Sequence, residues 1–161
     1  MTKPTEITQQ EVDDLTAVLD QETLLLLHRQ WLRADLLKKH FQETFLAESK
    51  SKKYEYNPAF YTRPEGIYMY LWYAMLFSVL EGFRERGISL SFIHELDDEM
   101  YQSLKALRHA VFHVPRQEYF DPRMYRPMHQ PNAVERIFRI HDKIGVILMA
   151  QLIARHQQGD V

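Results

Sequence analysis

The chain has 161 residues, 45% apolar and 26% charged, with a formal net charge of −2. That is the size of one domain, read over residues 1–161, with enough apolar material for a sizeable core. Five Gly and seven Pro are too few for the turns of a many-stranded β-sandwich or barrel, and the absence of Cys excludes a disulfide scaffold, a thiol nucleophile and a cysteine zinc site.

Residues 1–20 read as a lead-in. Met1 to Asp14 is polar and acidic without an apolar signal region, which leaves the cytoplasm as the default location. Gln9 to Leu19 reads as a short helix. Asp20 is then an N-cap for a long helix from about Gln21 to Ser49, on which Leu24, Leu27, Trp31, Ala34, Leu37, Phe41 and Phe45 recur at three- and four-residue steps. Leu25, Leu32 and Leu36 widen that stripe, so the helix is expected to pack against two neighbours with these leucines included.

Ten of the chain's 20 aromatic residues lie between Tyr54 and Phe83. Tyr54, Tyr56, Phe60 and Tyr61 fall in an irregular approach broken by Asn57-Pro58 and Arg63-Pro64. The other six fall on a helix from about Glu65 to Arg86, closed by Gly87. Gly66 to Phe83 approaches the roughly 18–20 residues of a membrane span. Its tyrosines, Ser78 and Glu81 instead mark a buried central helix, so no membrane partner is expected.

A linker leads to a helix capped by Asp97 or Asp98, with Met100, Leu104, Leu107 and Val111 inward. It must end near His113, because Pro115 lacks an amide hydrogen and restricts Val114. Residues 116–131 form a long connection, and a last helix runs from about Asn132 to His156 with Val134, Ile137, Ile144, Leu148 and Leu152 facing inward. These elements make an all-α chain arranged as an antiparallel bundle. His141 lies on the apolar stripe of the last helix and reads as a core histidine.

The charge is uneven. Residues 1–100 carry 11 basic and 17 acidic side chains, and residues 101–161 carry nine and five, together with five of the eight His. The C-terminal third therefore suits a polyanion, although an uneven surface has the same composition. Arg116, Arg123 and Arg126 are candidate RNA contacts, with Arg136 and Arg139 as further members of a basic rim; Tyr119, Phe120 and Tyr125 lie among them as candidate stacking residues. For each arginine alone a solvated face is the plainer explanation, and the interleaved aromatic residues would equally let the loop pack down on the bundle.

No glycine-rich phosphate loop, HExxH pair or nucleophile elbow is present. The richest cluster is Arg108-His109-Ala110-Val111-Phe112-His113, at the end of the predicted fourth helix. The negative end of the helix dipole favours imidazolium at His113, a setting suited to acid–base work. Arg108 can grip a phosphate through two parallel hydrogen bonds. His109 and His113 share a helix face. Arg108 and His113 lie about 140° apart on a regular helix. They converge on one atom more easily if the helix end unwinds at Pro115 or if two copies of the helix meet across a dimer axis. His109 and His113 also have the spacing of two metal ligands, but no third is identifiable, although His129 or His141 could fold over, and no metal or other cofactor is assigned. The plain alternative for Arg108 and His113 is a helix-end pair bound to carbonyls or a nearby acid; for Glu81, Arg84 and Arg108 are the candidate partners.

The run from Arg108 to His113, with Leu107 before it and Glu81-Gly82-Phe83 upstream, resembles the signature of the HEPN superfamily. The resemblance covers about residues 66–156 and, loosely, the long first helix. It implies an all-α bundle of four to five helices, usually a homodimer. Many such proteins are metal-independent ribonucleases of toxin–antitoxin, phage-defence or CRISPR systems, which would make RNA the substrate and an antitoxin or defence protein a partner. Arg108 and His113 would then be catalytic at a dimer cleft, and His109 supporting. Here His109 stands where the family most often has Asn, and Pro115 occupies the place of the His-x-Tyr extension found in some family toxins. The alternative is a non-catalytic RNA- or nucleotide-binding module, or a structural oligomer with a vestigial site.

Overall fold

The computed structural model describes residues 7–49, 60, 62–113 and 126–159. These form five α-helices and no strand: α1 Gln9–Val18, α2 Gln21–Ser49, α3 Pro64–Glu85, α4 Asp98–Phe112 and α5 Ala133–Gln158, with short 3-10 turns at Ser91–Glu95 and Arg126–His129. The all-α expectation is met.

Local chemistry sets the helix ends. At α1, Thr8 and Glu11 form a reciprocal capping box. At α2, the Thr23 amide donates to Asp20 Oδ1 at 2.7 Å and the Thr23 hydroxyl to Oδ2 at 3.0 Å; these bonds hold the Asp20 carboxyl below its ordinary range. Pro64 opens α3 from the first turn, where a missing N–H costs nothing. Gly87, at φ 67°, closes α3: its amide donates to the Arg84 carbonyl and that of Ile88 to the Phe83 carbonyl, each at 3.0 Å. Asp97 is the cap of α4, its Oδ1 accepting from the Met100 amide at 2.8 Å.

The core gathers around α3, which packs between α2 and α4. Trp72, Tyr73, Phe77 and Phe83 have no exposed surface, so the aromatic helix is the central one, as its composition predicts. Leu24, Leu27, Ala34 and Phe41 bury the inner face of α2. α5 runs antiparallel to α2: Arg155 donates to the Leu19 carbonyl, Trp31 Nε1 to the His141 carbonyl at 3.0 Å, and Lys38 to Asp142. Two glycines set these approaches. A Cβ on Gly145 would lie 2.2 Å from the Trp31 ring, and one on Gly82 would lie 2.7 Å from Leu27. A side chain larger than hydrogen therefore does not fit at either crossing as it stands.

The structure corrects several sequence expectations. Leu25, Leu32 and Leu36 are exposed, although α2 does have two neighbours. Val134 is exposed rather than inward: at the start of α5 the buried stripe runs through Ala133 and Ile137, and Val134 lies about 100° round the helix from Ala133. The linker after α3 contains the 3-10 turn Ser91–Glu95, tied to α5 by charges. Lys143 and Arg139 both bond the Glu95 carboxylate, while Arg136 donates to the Glu95 carbonyl and to Asp97 Oδ2. Arg136 and Arg139, read as members of a basic rim, thus also tie the turn to α5. Burial pushes the Glu95 carboxyl up, but Lys143 and Arg139 outweigh it and hold it below the usual range.

Candidate functional site

α4 is amphipathic, with Met100, Leu104 and Leu107 buried against α3. That packing fixes where the polar residues at its C-terminal end point. Arg108 turns toward α3, where its Nη1 meets Glu81 Oε2 at 2.5 Å. The pair is partly screened, with the Arg108 side chain 39% exposed and that of Glu81 26% exposed. Of the two partners the sequence offered Glu81, the fold selects Arg108; the Arg84 guanidinium lies over the Tyr101 ring at 4.6 Å instead.

α4 stays regular through Phe112, and His113 is its C-cap in an extended conformation, with its amide donating to the His109 carbonyl at 3.0 Å. The helix therefore does not unwind before His113. The His113 ring lies against His109, centroids 4.4 Å apart, and both residues are exposed. Within one chain, then, Arg108 is engaged by α3 while the two histidine rings pack against each other, tilted by 35°, along the solvent face. What the end of α4 presents chemically is an exposed pair of imidazoles beside a half-exposed guanidinium that already carries a carboxylate partner.

Arg116 and Arg123 lie outside the described residues, as do Tyr119, Phe120 and Tyr125. Arg126 lines a shallow groove with Asp98, Glu99, Gln102, Ser103 and Gln130. This groove sits on the N-terminal half of α4, with two carboxylates, and Arg126 does not join the histidine end. Among the described residues, no three His, Asp or Glu side chains come together as a metal site.

A second polar cluster was not legible in the sequence. His141 has no exposed surface; its Nδ1 accepts from Trp72 Nε1 at 3.1 Å and its Nε2 lies 3.2 Å from Asp35 Oδ1. An Nδ1 that accepts cannot carry a proton, so Nε2 carries it and donates to Asp35, which fixes the neutral Nε2–H tautomer. Burial, reinforced by the nearby Lys38 ammonium, pushes the imidazole down to about 4 against the pull of Asp35. Asp35 is itself buried enough to be pushed up, but its bonds to Lys39, at 2.8 Å, and to His141 keep its carboxyl below the usual range. Trp31 stacks on His141 at 5.4 Å between centroids. His141 is thus a satisfied core histidine joining α2, α3 and α5, and it is removed as a third metal ligand for the α4 pair.

Among the described residues no helix is long and apolar enough to cross a membrane. Comparison of the chain with family models, with curated proteins and with solved structures gives no match.

Proposed function

We propose that this chain is a HEPN-like helical protein that acts on RNA as a metal-independent endoribonuclease, with the C-terminal end of α4 as its working end. The observation that carries this reading is the exposed His109–His113 pair with Arg108 beside it. His113 takes the proton from a ribose 2′-hydroxyl, and that oxygen attacks the adjacent phosphorus. Arg108 stabilises the charge that builds on the phosphoryl oxygens; a guanidinium has five N–H donors, so the Glu81 pair does not exhaust them. The departing 5′ oxygen takes a proton from water or from a second copy's imidazole, leaving a 2′,3′-cyclic phosphate. His109 packs beside the His113 ring and orients it. DNA, lacking the 2′-hydroxyl, is not cut by this route. The setting this implies is a cytoplasmic toxin or defence protein, working as a homodimer with an antitoxin or defence partner.

The test is cleavage of several RNAs in EDTA by the wild-type protein, His113→Ala and Arg108→Ala. Products ending in a 2′,3′-cyclic phosphate, lost in both variants, are expected. Equal behaviour of all three proteins overturns the reading. The Arg108–Glu81 pair favours a second reading, a non-catalytic RNA- or nucleotide-binding or interaction module, because a paired guanidinium holds a phosphate less strongly. Salt-dependent RNA affinity without cleavage selects it.

A further inference from the structure

The exposed imidazoles at the end of α4 can do more than move protons. His109 and His113 are four residues apart, so their side chains leave the same side of the helix one turn apart. Both are exposed, and their ring centroids lie 4.4 Å apart at 35°. Two imidazoles bound to one transition-metal ion through bonds of about 2.0 Å hold their centroids roughly 4.5–5 Å apart. The pair already stands at nearly the separation of a chelate. Turning the rings about their own side-chain bonds brings one nitrogen of each onto a common ion, with no backbone movement.

The surroundings suit a cation held reversibly. The C-terminal end of α4 carries the negative pole of the helix. Arg108 is turned toward α3 and paired with Glu81. Lys105, one turn before His109, opposes a cation, but it is exposed and screened by solvent. The chain has no Cys to compete for the ion. Among the described residues no third His, Asp or Glu joins the pair. Water fills the remaining positions, so the ion exchanges freely, unlike the closed four-ligand centre of a structural zinc.

We propose that His109 and His113 form a reversible site for one divalent transition-metal ion of the zinc class, and that the bound ion switches off the α4 end. The second half rests on the nuclease reading above. A neutral imidazole has one free ring lone pair. When the metal takes that of His113, nothing is left to accept the proton of a ribose 2′-hydroxyl. Imidazole suits Zn²⁺, Ni²⁺ and Cu²⁺, whereas Mg²⁺ takes oxygen ligands. Mg²⁺ therefore serves as the control for simple charge screening of RNA.

Calorimetric titration of the EDTA-treated, dialysed full chain with zinc chloride reads the site without RNA. His109→Asn and His113→Asn each remove one imidazole at an exposed position. Each is expected to weaken zinc binding by about tenfold or more, since even the groups behind metal ligands are worth that. The other histidines are common to all three proteins, so the difference between proteins is the readout. RNA cleavage with zinc is then divided by each protein's own metal-free rate. That ratio should fall about tenfold or more in wild type and stay near one in His109→Asn, with equal magnesium changing neither. Equal zinc affinity in all three proteins, wild-type cleavage that zinc leaves alone or speeds, or inhibition as deep in His109→Asn overturns the proposal. Failure of the metal-free wild type to cleave RNA refutes the nuclease reading and the switch, while the calorimetry alone decides the ion site. Metal-free cleavage that is lost in His113→Asn, with no zinc bound through the pair, refutes the site and leaves the nuclease reading standing.

Discussion

The buried imidazole of His141 makes a quantitative prediction about stability against pH. In the unfolded chain this group titrates near its ordinary value of 6.5, and in the folded chain near 4. Between these values the unfolded state binds more protons than the native state, so stability must fall as the pH falls. The contribution is fully present above pH 6.5 and is lost progressively on the way down to pH 4. Linkage puts the loss between pH 7.5 and pH 5 at about 2 kcal/mol, and near 3 kcal/mol once both states are protonated. The window above pH 5 separates the buried histidines from the carboxylates. The carboxylates of Asp35, Glu95 and Asp97 are held below their usual range, and their contribution starts to be lost only as the pH falls through their unfolded values, 3.8 to 4.5. His28, also pushed down by burial, adds a slope of the same sign in any variant that retains it. The comparison is therefore with His141→Gln, which keeps an amide able to hydrogen-bond but cannot titrate. Losing the Trp72 bond lowers its overall stability by about 1–3 kcal/mol. Its slope, not its level, is the readout. Urea unfolding followed by circular dichroism at pH 7.5, 6.5, 5.5 and 5.0 measures both. Wild type should show the extra loss and the variant should not; parallel curves would refute the fixed neutral tautomer inferred from the Trp72 contact.

Other consequences follow from single contacts. Gly145→Ala sets a methyl carbon against the Trp31 ring, 2.2 Å away before relaxation, and should lower stability by about 1–3 kcal/mol, seen as a lower melting temperature. Glu95→Ala strips Lys143 of its partner in a site where that side chain is only 10% exposed. It should cost about 2 kcal/mol and raise proteolytic cutting within residues 88–97, because the 3-10 turn loses its tie to α5. Glu81→Gln frees Arg108 from a partly exposed ion pair, with a stability change below about 1 kcal/mol. On the proposed nuclease reading it should tighten RNA binding, measured by filter retention, and no gain there would show that the pair does not restrain the guanidinium.

Much of the fold was legible because it depends on local chemistry. Helix ends at Asp20, Gly87, Asp97 and His113 come from residues that supply or remove a backbone partner within a turn, and each is where the sequence placed it to within a residue or two. The central position of α3 follows from its aromatic circumference, since a helix apolar on every side has to be surrounded. The faces of α2 were less legible. Leu25, Leu32 and Leu36 have the spacing of a core stripe, and periodicity records only which residues share a face, not whether the fold covers it.

The candidate site divides in the same way. Sequence alone determined that Arg108, His109 and His113 lie at one helix end, with the histidines on a common face. Only the tertiary structure decided that Arg108 is turned toward α3 and occupied by Glu81, 27 residues away in the chain. The ties of His141 to Trp72 and Asp35, 69 and 106 residues away, belong to the same class. The height at which α2, α3 and α5 cross is set by packing around residues such as Gly145 and Trp31, so no short spacing in the chain encodes it. Local spacing fixes angles around a helix axis; only the packing of helices decides which charges meet.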